Sequence, residues 1–172
     1  MVAEKLPPHD TEAEEAVIAS LLVDPEAVYR VASILRPQYF FREKNRWIFE
    51  VCYDLLQQNE AINQITVAHE LSRRGRLEEV GGVAYLSQLV GDLPTPLVAE
   101  SSARAIQRDA IYRGLIQAAQ QIAQDAYRAD EPDVGRVLAR AESLIAAVRQ
   151  GEAVRDFVHI KELLDTVQLA EP

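Results

Sequence analysis

The side chains able to carry out chemistry are few and scattered. Histidine occurs at His9, His69 and His159, each in a different stretch, and the one cysteine is Cys52. A structural or catalytic metal needs such ligands at short, paired spacings, and this chain has no such set. Lysine occurs only as Lys5, Lys44 and Lys161, and none follows a glycine. Gly81-Gly82 therefore lacks the Gly-Lys-Ser/Thr with which a phosphate loop wraps phosphates and holds Mg²⁺. No serine stands in a nucleophile elbow. Two acidic pairs, Glu14-Glu15 and Glu78-Glu79, have the composition of a general acid–base couple. Their neighbours are charged, so they read as solvated carboxylates. No catalytic residue, cofactor or metal is expected in this stretch, and the residues point to an interaction module.

Composition sets the frame. The chain has 172 residues, enough for one ordinary domain or a domain with an appendage. Apolar residues make up 48% and aromatic residues 6%, with Ala, Leu and Gln frequent, which favours an α-helical protein. The net charge of −9 argues against the chain alone gripping a phosphate backbone. A lone Cys52 cannot form an internal disulfide, so a reducing, cytoplasmic setting is expected. No basic-then-apolar leader or membrane-length apolar run is present in the sequence.

The stretch Leu97 to Arg128 organises the elements. It follows the break Leu93-Pro94-Thr95-Pro96 and contains no proline. At about 100° per residue, Ile111, Tyr112, Leu115, Ile116, Ala118, Ala119, Ile122, Ala123, Ala126 and Tyr127 share one side. That side covers roughly half the circumference, wide enough for two neighbours. One neighbour is the next helix, opened by Glu131-Pro132-Asp133, stopped by Gly151, and carrying Val134, Val137, Leu138, Ala141, Leu144, Ile145 and Val148. The short link predicts an antiparallel hairpin. The second neighbour is expected to be another copy. Leu115, Ala118, Ala119 and Ile122 are the expected intersubunit seam, with Val137, Leu144 and Val148 shared between hairpin and seam.

Upstream lies a run of about five short helices. Thr11-Glu12-Ala13-Glu14 reads as a capping box, Asp24-Pro25 as a second start, and Pro37 as the end of that second helix. Tyr39-Phe40-Phe41 is an aromatic knot expected in the core. A helix follows from Glu43 to about Gln58. Thr66 is expected to cap the next and Gly75 to stop it, and Val83, Leu86, Leu89 and Val90 to be buried in the one after. Arg73, Arg74 and Arg76 read as a solvated helix end, since Glu70, Glu78 and Glu79 are near. Beyond Gly151 a polar linker leads to Ile160, Leu163, Leu164 and Val167. These give an amphipathic helix too short to stand alone and expected to dock elsewhere. The expected organisation is all-α: a compact head over 1–96, the hairpin over 97–150 and the linker with its helix over 151–172. Single-strand binding through Arg104, Arg108 and Arg113 is a weaker reading, because these point in several directions.

The order of motifs resembles the opening of bacterial DnaB-type replicative DNA helicases. The resemblance runs from Leu6-Pro7-Pro8-His9-Asp10 and Glu12-Ala13-Glu14-Glu15-Ala16-Val17 through Leu21-Leu22, Asp24-Pro25 and Asn45-Arg46-Trp47-Ile48-Phe49. Its most specific part is Gly75-Arg76-Leu77-Glu78-Glu79-Val80-Gly81-Gly82-Val83-Ala84-Tyr85-Leu86. Arg113-Gly114-Leu115-Ile116 and Ala126-Tyr127 resemble the family's hairpin, and Phe157-Val158-His159-Ile160-Lys161 its linker helix. The resemblance implies the N-terminal collar of such a helicase, with no ATPase motor, so that ATP and Mg²⁺ belong to the parent's motor domain. It implies hairpins paired between subunits, three pairs forming a ring, primase recruited by the collar, and the linker helix docked on a neighbouring motor. DNA would be met only through the full-length parent, and no membrane is involved. The helicase-binding tail of primase is similar, so a helicase-binding adaptor is the alternative.

Overall fold

The computed structural model describes residues 6–92, 98–129 and 131–151. Among them are α1 (Thr11–Val23), α2 (Ala27–Ala32), α3 (Glu43–Gln57), α4 (Gln64–Arg73), α5 (Gly82–Asp92), α6 (Ala99–Arg128) and α7 (Val134–Gln150). A 3-10 turn (Pro37–Tyr39) lies between α2 and α3, and no strand occurs among the described residues. The chain divides into two compact units, residues 1–113 and 114–172. The sequence placed a boundary at 96. The compact units divide further along, inside α6, because the first half of α6 still builds the head: Ala99, Ala103 and Ile106 are buried in its core. The expected linker helix lies outside the described residues, as does the Leu93-Pro94-Thr95-Pro96 break.

The head packs α1 to α5 around Val17, Ile18, Leu21, Val31, Ile48 and Leu71, all without measurable exposure. The spacing of three and four that predicted these helices is the spacing of their buried sides. Cys52 is buried among them, and burial pushes its thiol up to about 12.

The helix starts lie one to three positions from the expected ones. Asp10, not Thr11, caps α1: its carboxylate accepts from the Ala13 amide at 2.9 Å. Asp24 accepts from the Glu26 amide at 3.0 Å and pairs with Arg30 at 2.7 Å, and α2 begins only at Ala27. Pro37 opens the 3-10 turn rather than closing α2, which has ended at Ala32. Asn63 caps α4, while Thr66 completes the box by accepting from the Asn63 amide. Gly75 and Gly151 do stop their helices, both at φ 69°, a left-handed conformation costly to a residue with a Cβ.

Some expected positions differ. Phe40 is buried against Phe49, with ring centroids 4.8 Å apart, but Phe41 of the same knot is at the surface, where His9 stacks on it at 4.3 Å. Val83 is exposed and Val90 half-buried, because α5 turns Leu86 and Leu89 fully into the core, with Tyr85 and Val90 packed at its edge. Glu14 is not a solvated acid: it is 2% exposed. Its carboxylate accepts from the Phe41 amide at 2.5 Å, the Arg42 amide at 3.2 Å and Asn45 Nδ2 at 3.0 Å. The first turn of α3 has no side-chain cap of its own. Glu14 reaches across from α1 to the two amides just before that turn and places a negative charge at the positive helix end. Asn45, fully buried, and Glu15 then share the single proton of the Tyr85 hydroxyl, Asn45 Oδ1 lying 2.9 Å and Glu15 3.1 Å from Oη. Three helices are thereby tied at one polar point inside an apolar core.

Candidate self-association surface

The second unit contains the hairpin formed by the last half of α6 with α7. Three pairings fix it as antiparallel: Gly114 against Val148, Ala118 beside Leu144, and Asp125 with Arg140 at 3.1 Å. Asp133 caps α7, accepting from the Gly135 amide at 2.9 Å. A Cβ on Gly114 would lie 3.1 Å from Val148 Cγ1, so the bare glycine is what lets the end of α7 come this near. The small core is Ala118, Leu144 and Val148, with Ile122 packed against it.

The seven residues expected in the seam are thereby sorted. Ala118, Leu144 and Val148 are buried within the hairpin of a single chain. Ile122 and Val137 are half-buried, while Leu115 and Ala119 are exposed. The wide side of α6 is thus used along one edge only. Ile116, Ala123, Ala126 and Tyr127 remain exposed beside Leu115 and Ala119. In the head's part of α6, Ile111 and Tyr112 are exposed as well.

Sequence reasoning missed three residues on α7. Val134, Leu138 and Ile145 belong to its three-and-four apolar pattern, yet they are 68%, 61% and 53% exposed. The signal was available: seven apolar positions on one short helix span more arc than a single neighbour covers. On a wheel, these three fall within about 40° of one another, turned roughly 60–100° from Leu144 and Val148. Leu115, Ala119 and Ala126 are turned from Ala118 in the same rotational sense. The axes are antiparallel, so both stripes emerge on the same side of the hairpin. That side is a continuous apolar strip two helices wide, the pattern of an interface rather than of scattered surface leucines.

The basic residues form no comparable surface. Arg73 and Arg74 both bond Glu70 at 2.7 Å, and Arg74 also reaches Asp54 at 2.8 Å. Hydrogen bonds from Arg73 and then Arg74 hold the Glu70 carboxyl down at about 2. The Arg76 guanidinium stacks 4.2 Å over Trp47. Arg104 pairs with Glu100 at 2.8 Å and Arg108 with Asp109 at 2.9 Å. Arg113 is half-buried, donating to the Pro8 and Tyr39 carbonyls. Of the arginines weighed for single-strand binding, Arg113 is thus tied into the head, and Arg104 and Arg108 are exposed but each paired with a neighbouring carboxylate.

The fold is an all-helical module that leaves an apolar strip open on its hairpin. The profile of the DnaB-like helicase N terminal domain matches residues 6–108. The replicative DNA helicase DnaB of Geobacillus stearothermophilus is 37% identical over 165 residues, which is 95% of this chain and 36% of that protein. The replicative DNA helicase DnaC of Bacillus subtilis (strain 168) is 33% identical over 164 residues, again 95% and 36%. The chain thus spans 36% of the length of these two helicases. The crystal structure of the N-terminal domain of DnaB helicase from Mycobacterium tuberculosis superposes with a TM-score of 0.78 at 34% identity, covering 82% of this chain and 99% of that one. A DnaB-like replicative helicase, whose structure was described with its interactions with primase, shares the fold at TM-score 0.67 and 19% identity. The chain belongs to the DnaB-like helicase N-terminal domain family. No helix among its described residues is long and apolar enough to cross a membrane.

Proposed function

We propose that this chain is the collar of a replicative DNA helicase, pairing hairpin to hairpin with a second copy and serving as the platform on which primase docks. The observation that carries the reading is the open strip of Leu115, Ala119, Leu138 and Ile145 on one side of the hairpin. Membership of the family supports it, and so does the neighbouring fold described with primase. In the full helicase three such pairs form the ring. The segment with Ile160, Leu163, Leu164 and Val167 docks on the next motor, and ATP, Mg²⁺ and DNA are handled by that motor.

The experiment is absolute mass by light scattering over a concentration series, for the chain and for Leu138→Glu with Ile145→Glu. Burying an exposed Leu or Ile contributes about 1.5–3 kcal/mol when complete. Each of these two has more than half its surface still to bury, so each contributes about 1 kcal/mol or more per protomer. In a symmetric dimer the pair acts twice, and the double variant is expected to weaken association by a factor of at least about 10³. Circular dichroism checks that the helices persist. A monomer at all concentrations in the unsubstituted chain refutes pairing by the hairpin. Primase titrated onto the dimer and the monomeric variant then tests docking.

A further inference from the structure

A second surface lies wholly within the head. A groove of about 530 Å³ runs between α1, the last turn of α5 and the first turns of α6. It is open because both long walls are built of small residues, Ala13, Ala16 and Ala19 facing Ser101, Ser102 and Ala105, with Leu89 as part of its floor. Its other described lining residues include Asp10, Glu12, Glu15 and Asp92, and none is Lys or Arg.

Stability accounts for the acids on α1 but not for Asp92. Asp10 caps α1, and Glu12 sits at the positive end of that helix, where an acid is favourable. Asp92 is the reverse case: it ends α5, where the helix dipole is already negative and an acid is unfavourable. Glu15 faces the Tyr85 hydroxyl, and the nearest guanidinium, Arg42, lies 3.6 Å from it without lining the groove. Carboxylates along a cleft with low-dielectric walls focus a negative potential there. A floor of alanine and leucine admits small aliphatic side chains.

We infer that this groove is a docking site for a basic amphipathic helix of another protein, with Ala or Leu against the floor and Lys or Arg toward the four carboxylates. The occupant is chosen by charge complementarity: an acidic segment is repelled, and a neutral one gains nothing from the negative potential of the four carboxylates. The site is independent of the hairpin strip, so the two readings stand or fall separately.

The test uses the whole chain and a synthetic helical peptide of Ala, Leu and Lys, with a counterpart in which every Lys is Glu. Calorimetric titration is run at low and high salt. The lysine peptide is expected to bind, with affinity falling steeply as salt rises, and the glutamate peptide not to bind. Glu12→Gln with Asp92→Asn, which keeps shape and removes charge, is expected to weaken the lysine peptide at least tenfold. Glu78→Gln with Glu79→Gln, away from the groove, is expected to leave it unchanged, as is Leu138→Glu on the hairpin. Equal loss in both acidic pairs would show mere attraction to an acidic protein and overturn the site. So would failure of the lysine peptide to bind, or equal binding of the two peptides.

Discussion

Replacing Glu14 by Ala is expected to be among the most damaging single changes in the head. The side chain is 2% exposed and accepts from two backbone amides and from Asn45 Nδ2. A hydrogen bond to a charged group is worth about 1.5–3 kcal/mol net, and a buried donor left without a partner costs about 1–3 kcal/mol. Phe41 and Arg42 lie at the surface, so water replaces part of their loss, whereas Asn45 is fully buried and has no such substitute. Taken together, these losses put the expected destabilisation at about 3–5 kcal/mol. That is a large part of the roughly 5–15 kcal/mol holding a domain together. Glu14→Gln keeps one acceptor but loses the charge, and is expected to cost about half as much. Urea unfolding followed by circular dichroism reads both, given equal slopes. A loss below about 1 kcal/mol for the alanine variant would refute the role of this carboxylate at the start of a distant helix.

Other perturbations follow from the same structure. Cys52 is fully buried with its thiol raised to about 12, so a thiol reagent is expected to label it only as fast as the head unfolds; rapid labelling of native protein would show an open core. Glu70 is held at about 2, below its ordinary 4.5, so its pairing stabilises the fold above about pH 4.5 and the contribution is lost as pH falls toward 2. The gap in denaturation midpoint between the chain and Glu70→Gln should therefore be open at pH 7 and close in acid, and it should be small because the arginines are exposed. Gly114→Val is expected to lower the melting temperature, since a Cβ already meets Val148 at 3.1 Å, and overpacking typically costs about 1–3 kcal/mol. Gly114→Ala, gaining helix propensity against the same contact, should change it little.

The sequence made the helices legible and left their partners largely illegible, for a physical reason in each case. Caps, stops and the three-and-four spacing are local, so α3, α6, α7, Gly75 and Gly151 could be placed within a residue or two. The shifts at Asp10 and Asn63 are one-turn ambiguities, where several polar side chains compete for the same orphan amides. Glu14 could not be read, because its partners lie 27 to 31 residues away and its own neighbours are charged. The seam was half legible. Periodicity showed that α6 has more apolar arc than one neighbour needs, but it does not say which sector the first neighbour takes. Hence Ala118 and Leu144 close the hairpin itself, while Leu138 and Ile145, in the same apolar pattern, form its outer side.

The division of α6 between two cores also bears on how the chain acquires its structure. The hairpin's own core is only Ala118, Leu144 and Val148 with Ile122 beside them, too little to offset the entropy of ordering two helices. The first half of the same helix is secured by Ala99, Ala103 and Ile106 in the much larger core of the head. Starting a helix is the expensive step and extending it is cheap. A folded head therefore presents α6 already nucleated, and the remaining turns grow from it rather than form afresh. Since the head precedes the hairpin along the chain, synthesis delivers the template before the segment it organises. The order of residues in the gene thus matches the order in which the structure can be built.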